Sequence, residues 1–386
     1  MIIKKMKQRS VKIAFALACL FLMTAVTGHQ VMAAEEEGLL AVTEPCHLTF
    51  PKDHGPHPGY RIEWWYYTGN LQTESGERYG FQLTFFRNQI SPSRNAGKWP
   101  QPSSAWRTQQ IFVGHAAISD LNKKEHRIAE LMARDALGIA GISQKASQTT
   151  VFINDWSASI YADSHILVAR SADFSLDLAL QPTKPPVLHG QAGYSRKGSA
   201  TSSASCYYSL TRLSTTGRVK LDGKTIAVEG LSWMDHEFSS APLETGIMGW
   251  DWFSLQLSDQ TEIMLYLLRK ENGELIPASS GTFIDRAGIS QHLTREDFRV
   301  TALEQWKSSQ TGAVYPVAWR LKIIPLSIEL TTVADFPDQE MMTAQSTGVI
   351  YWEGSVSASG SVDGRHVTGD GYVELTGYAK DYGAPL

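Results

Sequence analysis

Trp64-Trp65-Tyr66-Tyr67, followed by Leu71 and then by Arg87 at the end of an apolar run, returns later as Trp250-Asp251-Trp252-Phe253, followed by Leu257 and Arg269. The first Trp stands seven residues before the Leu in both copies. The later spacing to the Arg differs by four residues, which a shorter hairpin turn absorbs. A second pair closes each half: Val228-x-Gly230-x-x-Trp233-x-Asp235 returns as Val367-x-Gly369-x-x-Tyr372-x-Glu374. Any Trp- and Gly-rich β protein matches itself somewhere by chance. Two motif pairs in the same order, bracketing segments of roughly 170 and 125 residues, read instead as an internal duplication of domain-sized units.

Working outward from these motifs, strand signals dominate. β-Branched and aromatic runs at Arg61 to Gln72, Arg78 to Arg87, Gln109 to Ser119, Glu262 to Arg269 and Ala318 to Leu330 are punctuated by Gly, Asn, Asp and Ser turns. The first two predict a hairpin around Glu74-Ser75-Gly76-Glu77. Only Glu125 to Leu137 has apolar spacing that suits a helix, with Ile128, Leu131 and Met132 on one side. Ser91 to Trp106 and Gly193 to Ser205 read as long loops. Closed or nearly closed antiparallel sheets suit such segments, because closure removes exposed strand edges and alternation places every second residue inside. The expected fold is all-β, two tandem antiparallel barrels over residues 34–240 and 241–386, with a junction near Ser239 to Met248.

Residues 1–33 read as a secretory signal. Lys4, Lys5, Lys7, Arg9 and Lys12 precede the apolar stretch Ile13 to Val26 and the small-residue end Val31-Met32-Ala33. The apolar stretch is short for a spanning helix, and a lipoprotein cleaved before Cys19 would turn polar where Leu20-Phe21-Leu22 follow. The expected location is therefore exported, periplasmic or secreted, with no stable membrane span. Removing the signal leaves 30 basic residues against 39 acids, a net charge of −9 with histidine neutral. That balance disfavours a nucleic-acid partner, which would draw on Lys and Arg clusters. Cys46 and Cys206 remain after export; two cysteines so far apart do not by themselves specify a disulfide.

Six of the 11 tryptophans, Trp64, Trp65, Trp233, Trp250, Trp252 and Trp352, lie in four short motifs. Indole N–H groups want partners when buried, so the clustering suggests walls of a cavity or of a domain interface, against the alternative of ordinary barrel core. Acids stand beside these aromatics: Glu63, Asp235, Asp251, Glu353 and Glu374. A carboxyl among large rings loses solvation and can hold a proton near neutral pH for general-acid work. The competing role is an ion pair to Arg87, Arg212 or Arg269. Strand neighbours face opposite sides, so Glu63 and Trp64 cannot share a lumen, whereas Asp235 and Trp233 can. Trp233-Met234-Asp235-His236-Glu237 is the densest constellation; His236 could orient Asp235, relay a proton or cap a strand end. Asp53-His54-Gly55-Pro56-His57 has the look of a metal-binding run but lacks a clear third ligand, so no metal and no cofactor is expected. His115, in an otherwise apolar strand, reads as a satisfied core histidine. The signatures of serine-hydrolase elbows, zinc proteases, phosphate loops and dinucleotide folds are missing from the sequence.

At these motifs the sequence resembles the lipocalin-like family that includes carotenoid 1,2-hydratase (hydroxyneurosporene synthase) and exported proteins described as predicted hydrolases. The matching residues are Phe50-Pro51-x-Asp53-His54-x-x-His57, Glu63-Trp64-Trp65-Tyr66, Gly114-His115, Tyr208-Ser209-Leu210-Thr211-Arg212, Trp233-Met234-Asp235-His236-Glu237, Gly249-Trp250-Asp251-Trp252, Asp338-Gln339-Glu340, Tyr351-Trp352-Glu353-Gly354 and Gly371 to Tyr378. The resemblance implies two lipocalin-like barrels side by side and a hydrophobic small-molecule partner of polyene, isoprenoid or lipid-like character. In the hydratase branch it further implies acid-catalysed addition of water to a terminal double bond. Asp235, with Trp233, Pro242, Leu243 and Trp250-Asp251-Trp252 at the matching positions, inherits the proton-donor role. The branch has Tyr where this chain has Trp233, and His and Trp where Tyr207 and Tyr208 stand. Two functions follow as expectations. One is an enzyme of hydratase, isomerase or hydrolase type, with Asp235 as acid, His236 as its partner, and Trp65, Trp233, Trp250, Trp252, Tyr208 and Tyr266 lining the pocket. The other is a non-catalytic lipocalin-like carrier or envelope assembly factor, with envelope partners, that uses the same cavity only to bind.

Overall fold

The computed structural model describes residues 38–91, 93–102 and 104–379; the leader expected at residues 1–33 lies outside them. The chain is all-β, two tandem lipocalin-like antiparallel barrels with one sheet each. The first sheet holds β1 (Ile62–Gln72), β2 (Arg78–Gln89), β3 (Gln110–Asp120), β4 (Glu125–Arg134), β5 (Ala140–Lys145), β6 (Gln148–Ile153), β7 (Trp156–Ile160), β8 (His165–Arg170), β9 (Phe174–Pro182), β10 (Val187–Leu188), β11 (Tyr194–Arg196), β12 (Ala204–Leu221) and β13 (Lys224–Ser239). The second holds β14 (Ile247–Leu257), β15 (Glu262–Lys270), β16 (Ser280–Ile284), β17 (Ser290–Leu293), β18 (Phe298–Lys307), β19 (Val314–Ile323), β20 (Ile328–Ala334), β21 (Glu340–Met342), β22 (Ile350–Val362) and β23 (Arg365–Leu375).

The order β2-β1-β13-β12 in the first sheet is repeated as β15-β14-β23-β22 in the second. The sequence repeat is thus a repeat of pairing, and its residues are cross-strand partners. Leu71 lies opposite Gly230 and Leu257 opposite Gly369; Tyr66 lies opposite Asp235 and Trp252 opposite Glu374. The repeated glycine has a steric cause. A Cβ on Gly230 would sit 2.0 Å from the Asn70 carbonyl oxygen, and one on Gly369 would sit 2.5 Å from that of Gln256.

Alternation sorts each strand into two faces. Trp65, Tyr67, Leu71 and Met234 point into the first barrel, and Phe253, Leu255, Leu257 and Val373 into the second. The opposite faces of these same strands supply a third apolar layer between the sheets, with Tyr66, Tyr207, Trp233, Trp252, Tyr266 and Tyr372 at its centre. The chain passes from one sheet to the other between Ser239 and Ile247.

Two sequence expectations are corrected. Glu125 to Leu137 is not a helix: Glu125–Arg134 is β4, paired residue by residue with β3. Leu131 packs on the first barrel core and Ile128 on a separate cluster with Ala117, Met341 and Tyr351, while Met132 is exposed, so the apparent helical face spans both faces of a strand. Ala318 to Leu330 is two strands, β19 and β20, because Pro325 sits in a 3-10 turn at Ile324–Leu326 between them. Cys46 and Cys206 form a disulfide that ties the segment before β1 to β12. Among the described residues, no helix is long and apolar enough to cross a membrane.

Candidate functional site between the barrels

Asp235 projects from β13 into the layer between the sheets, where only 4% of its surface is exposed. Three donors converge on its carboxyl: the Tyr207 hydroxyl at 2.5 Å, the Trp233 indole N–H at 2.6 Å and the Ser209 hydroxyl. Ser209 is placed by register, directly opposite Asp235 on β12. Its single proton goes to Asp235, so the His189 ring nitrogen 2.6 Å away supplies N–H to the Ser209 oxygen, and the other His189 nitrogen accepts from Thr282 at 2.8 Å. Burial outweighs the three hydrogen bonds and raises the Asp235 pKa to about 7. The group is therefore a carboxylic acid held ready to give up a proton, with donors already in place to stabilise the carboxylate that results.

Trp250 and Trp252, two apart on β14 and hence on one face, form a rail beside two acids. The Trp252 indole donates to the Tyr207 oxygen at 3.0 Å, and the Trp250 indole to Glu374 at 3.0 Å. Burial raises Glu374 to about 7 as well, and raises Glu353 on the neighbouring strand well above the carboxylate range. Trp252 meets Tyr66 and Trp233 edge-on, with ring centroids 5.2 and 6.2 Å apart. Lys197 stands 4.0 Å over the Tyr266 ring and pairs with Glu237 at 2.9 Å. Asp235 and Glu353 are buried by these side chains, and Glu374 is half-buried.

The remaining aromatic-flanking acids are ion-paired. Glu63 binds Arg87 at 2.9 Å and Asp251 binds Arg269 at 2.7 Å, while Arg212 is taken by Glu262. The arginine of the repeat is thus kept in both halves, while its acid moves two places along the strand. Among the described residues, no such basic partner stands against Asp235, Glu353 or Glu374.

The residues singled out in the sequence fall on two sides of one sheet. Asp235, Trp233, Trp250, Trp252 and Tyr266 gather between the barrels. His236, Trp65 and Tyr208 lie on the inner side of the first barrel, so His236 does not meet Asp235. His236 instead lies 2.9 Å from both Glu63 and the Tyr208 hydroxyl, and Tyr208 continues to His54 at 2.7 Å. Glu63 also takes His57 at 2.8 Å, so His57, Glu63 and His236 present ligand atoms within 4.8 Å of one another. The Arg87 guanidinium on Glu63 makes this a hydrogen-bonded ion-pair network and disfavours a cation. A surface cavity of about 260 Å³, lined by Cys46, Cys206, Asp53, His57 and Tyr60, lies beside this network. His115 is a satisfied core histidine, held by Tyr351 and Ser346 at 2.9 Å each.

Sequence reasoning missed Ser209 and His189 as members of the Asp235 site. Tyr207-x-Ser209 carries a period-2 signal, but which strand would face Asp235 is a matter of register. His189 arrives from an irregular stretch with no signal at all.

The fold and the buried acid-aromatic layer define a two-barrel lipocalin-like protein. The family model described as AttH-like matches residues 41–378, and the chain belongs to that family. It is similar to the crystal structure of a candidate AttH from Nitrosomonas europaea at 33% identity and a TM-score of 0.77, covering 88% of this chain and all of that one. It also shares its fold with kievitone hydratase from Nectria haematococca, at 16% identity and a TM-score of 0.64, covering 88% of this chain and 96% of that one. No curated protein matches it in sequence.

Proposed function

We propose that this chain is an exported enzyme that adds water to a carbon–carbon double bond of a hydrophobic small molecule, with Asp235 as the proton donor. The observation that carries the proposal is Asp235 itself: a buried carboxyl with a pKa of about 7, set among the aromatic rings of the seam, with three donors on its oxygens. The Asp235 O–H gives its proton to the less substituted alkene carbon, leaving a tertiary cation on the other. The faces of Trp233, Trp252 and Tyr66 stabilise that cation. Water forms the new C–O bond, and the proton it loses returns to the Asp235 carboxylate, so the acid is regenerated and the net change is addition of one water. The AttH-like membership and the hydratase found on the same fold support this class of chemistry. The leader-like residues 1–33 support export, and the working unit is the barrel pair taken as residues 34–240 and 241–386. In this reading His236 supports the first barrel from its inner face.

The test is 18O incorporation from labelled water into isoprenoid alkenes supplied to the purified protein, with Asp235→Asn as the comparison. The variant is expected to lose at least about 100-fold in rate, as loss of a general acid does, with ligand affinity kept. A ligand that binds native and variant alike, with no label incorporated by either, identifies a carrier and sinks the enzymatic reading.

A further inference from the structure

Asp235, Tyr207, Trp233 and Trp252 are each no more than 4% exposed, so a ligand must reach them along the seam between the barrels. The two directions along β13 differ. Beyond Trp233, side chains of one barrel hold groups of the other. Gln256 donates to the carbonyls of Thr211 and Ser232 at 2.8 and 2.9 Å, Asn70 donates to that of Gly371 at 3.1 Å, and Lys184 and Arg212 both pair with Glu262. These bonds, most of them to fixed backbone, stitch that end shut.

In the other direction the next residue on the Asp235 face is Glu237, which lies opposite Trp64 on β1 and Tyr207 on β12. Trp64 and Trp250 are only half-buried here. The Lys197 side chain crosses the gap: its ammonium pairs with Glu237 at 2.9 Å and stands 5.0 Å over the Tyr207 ring and 4.0 Å over that of Tyr266, which belongs to the second barrel. The Tyr207 that it covers is the one that donates to Asp235. An ammonium on a flexible stem, resting on rings and one acid at a half-open mouth, can swing into water and keep its charge solvated.

The backbone that carries Lys197 is tied down. Lys197 to Ser203 form the tip of the β11–β12 hairpin, closed at its base by the Lys197 N–H on the Ser203 carbonyl at 2.7 Å. Glu244, on the passage between the sheets, accepts from the N–H groups of Ser199 and Ala200 at 2.7 and 2.9 Å and from the Ser199 hydroxyl at 3.1 Å. Gly198 leaves the room for this: a Cβ there would sit 2.2 Å from the Glu244 carboxyl carbon. Around Glu244 the passage is a surface segment, with Pro242, Leu243, Thr245 and Gly246 exposed.

We propose that Lys197 is the gate of the Asp235 site and Glu244 its latch, so that a hydrophobic ligand enters beside Trp64 and Trp250 when Lys197 swings out. The gate rests on the reading of the seam as the site of a hydrophobic ligand. With the tip held, the open form is the minor one, and ligand enters at a rate set by its population.

The experiment follows uptake of farnesol by the full chain in stopped-flow tryptophan fluorescence, together with amide exchange at Ser199 and Ala200. Gly198→Ala displaces the Glu244 carboxyl and Glu244→Ala removes it. Both are expected to speed exchange at the two amides and to raise the uptake rate about tenfold, as a tenfold larger open fraction requires, with the urea midpoint unchanged. Lys197→Ala removes the gate itself and is expected to take up farnesol at least as fast while the two amides stay protected. Uptake by Lys197→Ala no faster than by native protein, or no uptake by any form, overturns the gate. Exchange that speeds while uptake does not, or that fails to speed in either latch variant, overturns the latch. Incorporation of 18O is read separately. Faster uptake in the variants with no label incorporated by any form upholds the gate and fails the hydratase reading; label incorporated by native protein, with uptake alike in all forms, does the reverse.

Discussion

Deleting the Tyr207 hydroxyl acts on Asp235 through a single bond. That hydroxyl donates to the carboxyl and in turn accepts from Trp252, so Tyr207→Phe removes one of three groups that favour the carboxylate and leaves an indole N–H without its acceptor. The hydrogen bonds lower the Asp235 pKa against the larger effect of burial, so losing one moves it further up. If Asp235 is the proton donor, the alkaline limb of the pH–rate profile shifts to higher pH in Tyr207→Phe. The rate at pH 6 falls about tenfold, because the carboxylate left after proton transfer is less well held. An unshifted limb would mean that the titrating acid is another group. At this scale the sequence revealed which residue types matter. Trp233-x-Asp235 is visible as an alternation, and the acid's raised pKa follows from rings on either side of it. It did not reveal which acids would be neutralised by arginine, since Glu63 and Asp235 look alike until the sheet sets one against Arg87 and the other against Ser209.

At the scale of strands, the duplicated motifs are legible because their residues pair with each other, and a paired motif constrains both of its strands. Gly230 and Gly369 recur for the same reason: the facing carbonyl of β1 or β14 occupies the space of a side chain. Gly230→Ala must push β13 away from β1 and is expected to cost about 1–3 kcal/mol, the usual penalty of overpacking. Urea unfolding checks this; an unchanged midpoint would show that the two strands part without resistance. β4 shows why other elements stay hidden. Its two faces pack against different partners, the first barrel core on one side and the Met341–Tyr351 cluster on the other, so its apolar residues never settle into period two. The split of the aromatic residues between barrel interior and seam was equally out of reach. Trp65 and Tyr66 differ only in parity along the strand, and parity gains meaning only when a second sheet covers the outer face.

On the scale of the whole molecule, the buried titratable groups pull stability in opposite directions with pH. His54 and His126 are lowered to about 4, and His115, His165 and His189 to about 3, chiefly by burial. Below about pH 6.5 the unfolded chain binds protons at these five positions and the native chain does not, so stability falls as pH falls. Asp235 and Glu374 at about 7, with Glu353 raised further, act the other way: above about pH 4.5 the native chain holds protons that the unfolded chain has released, so stability falls as pH rises until those acids ionise. Among the most strongly shifted groups, the five histidines outnumber the three raised acids between about pH 4.5 and 6, and their balance makes stability rise with pH. Above about 6.5 the histidines are neutral in both states and only the acids still titrate. The melting midpoint is therefore expected to peak near pH 6.5 and to decline on both sides. Scanning calorimetry from pH 4 to 9 measures it. Replacing both Asp235 and Glu374 by their amides should flatten the alkaline side and leave most of the acid side in place, because of the five histidines only His189 is tied to Asp235, through Ser209. A midpoint that keeps rising through pH 9 in the native chain would mean that these carboxyls are already ionised at neutral pH, and a general acid would then have to be sought outside the seam.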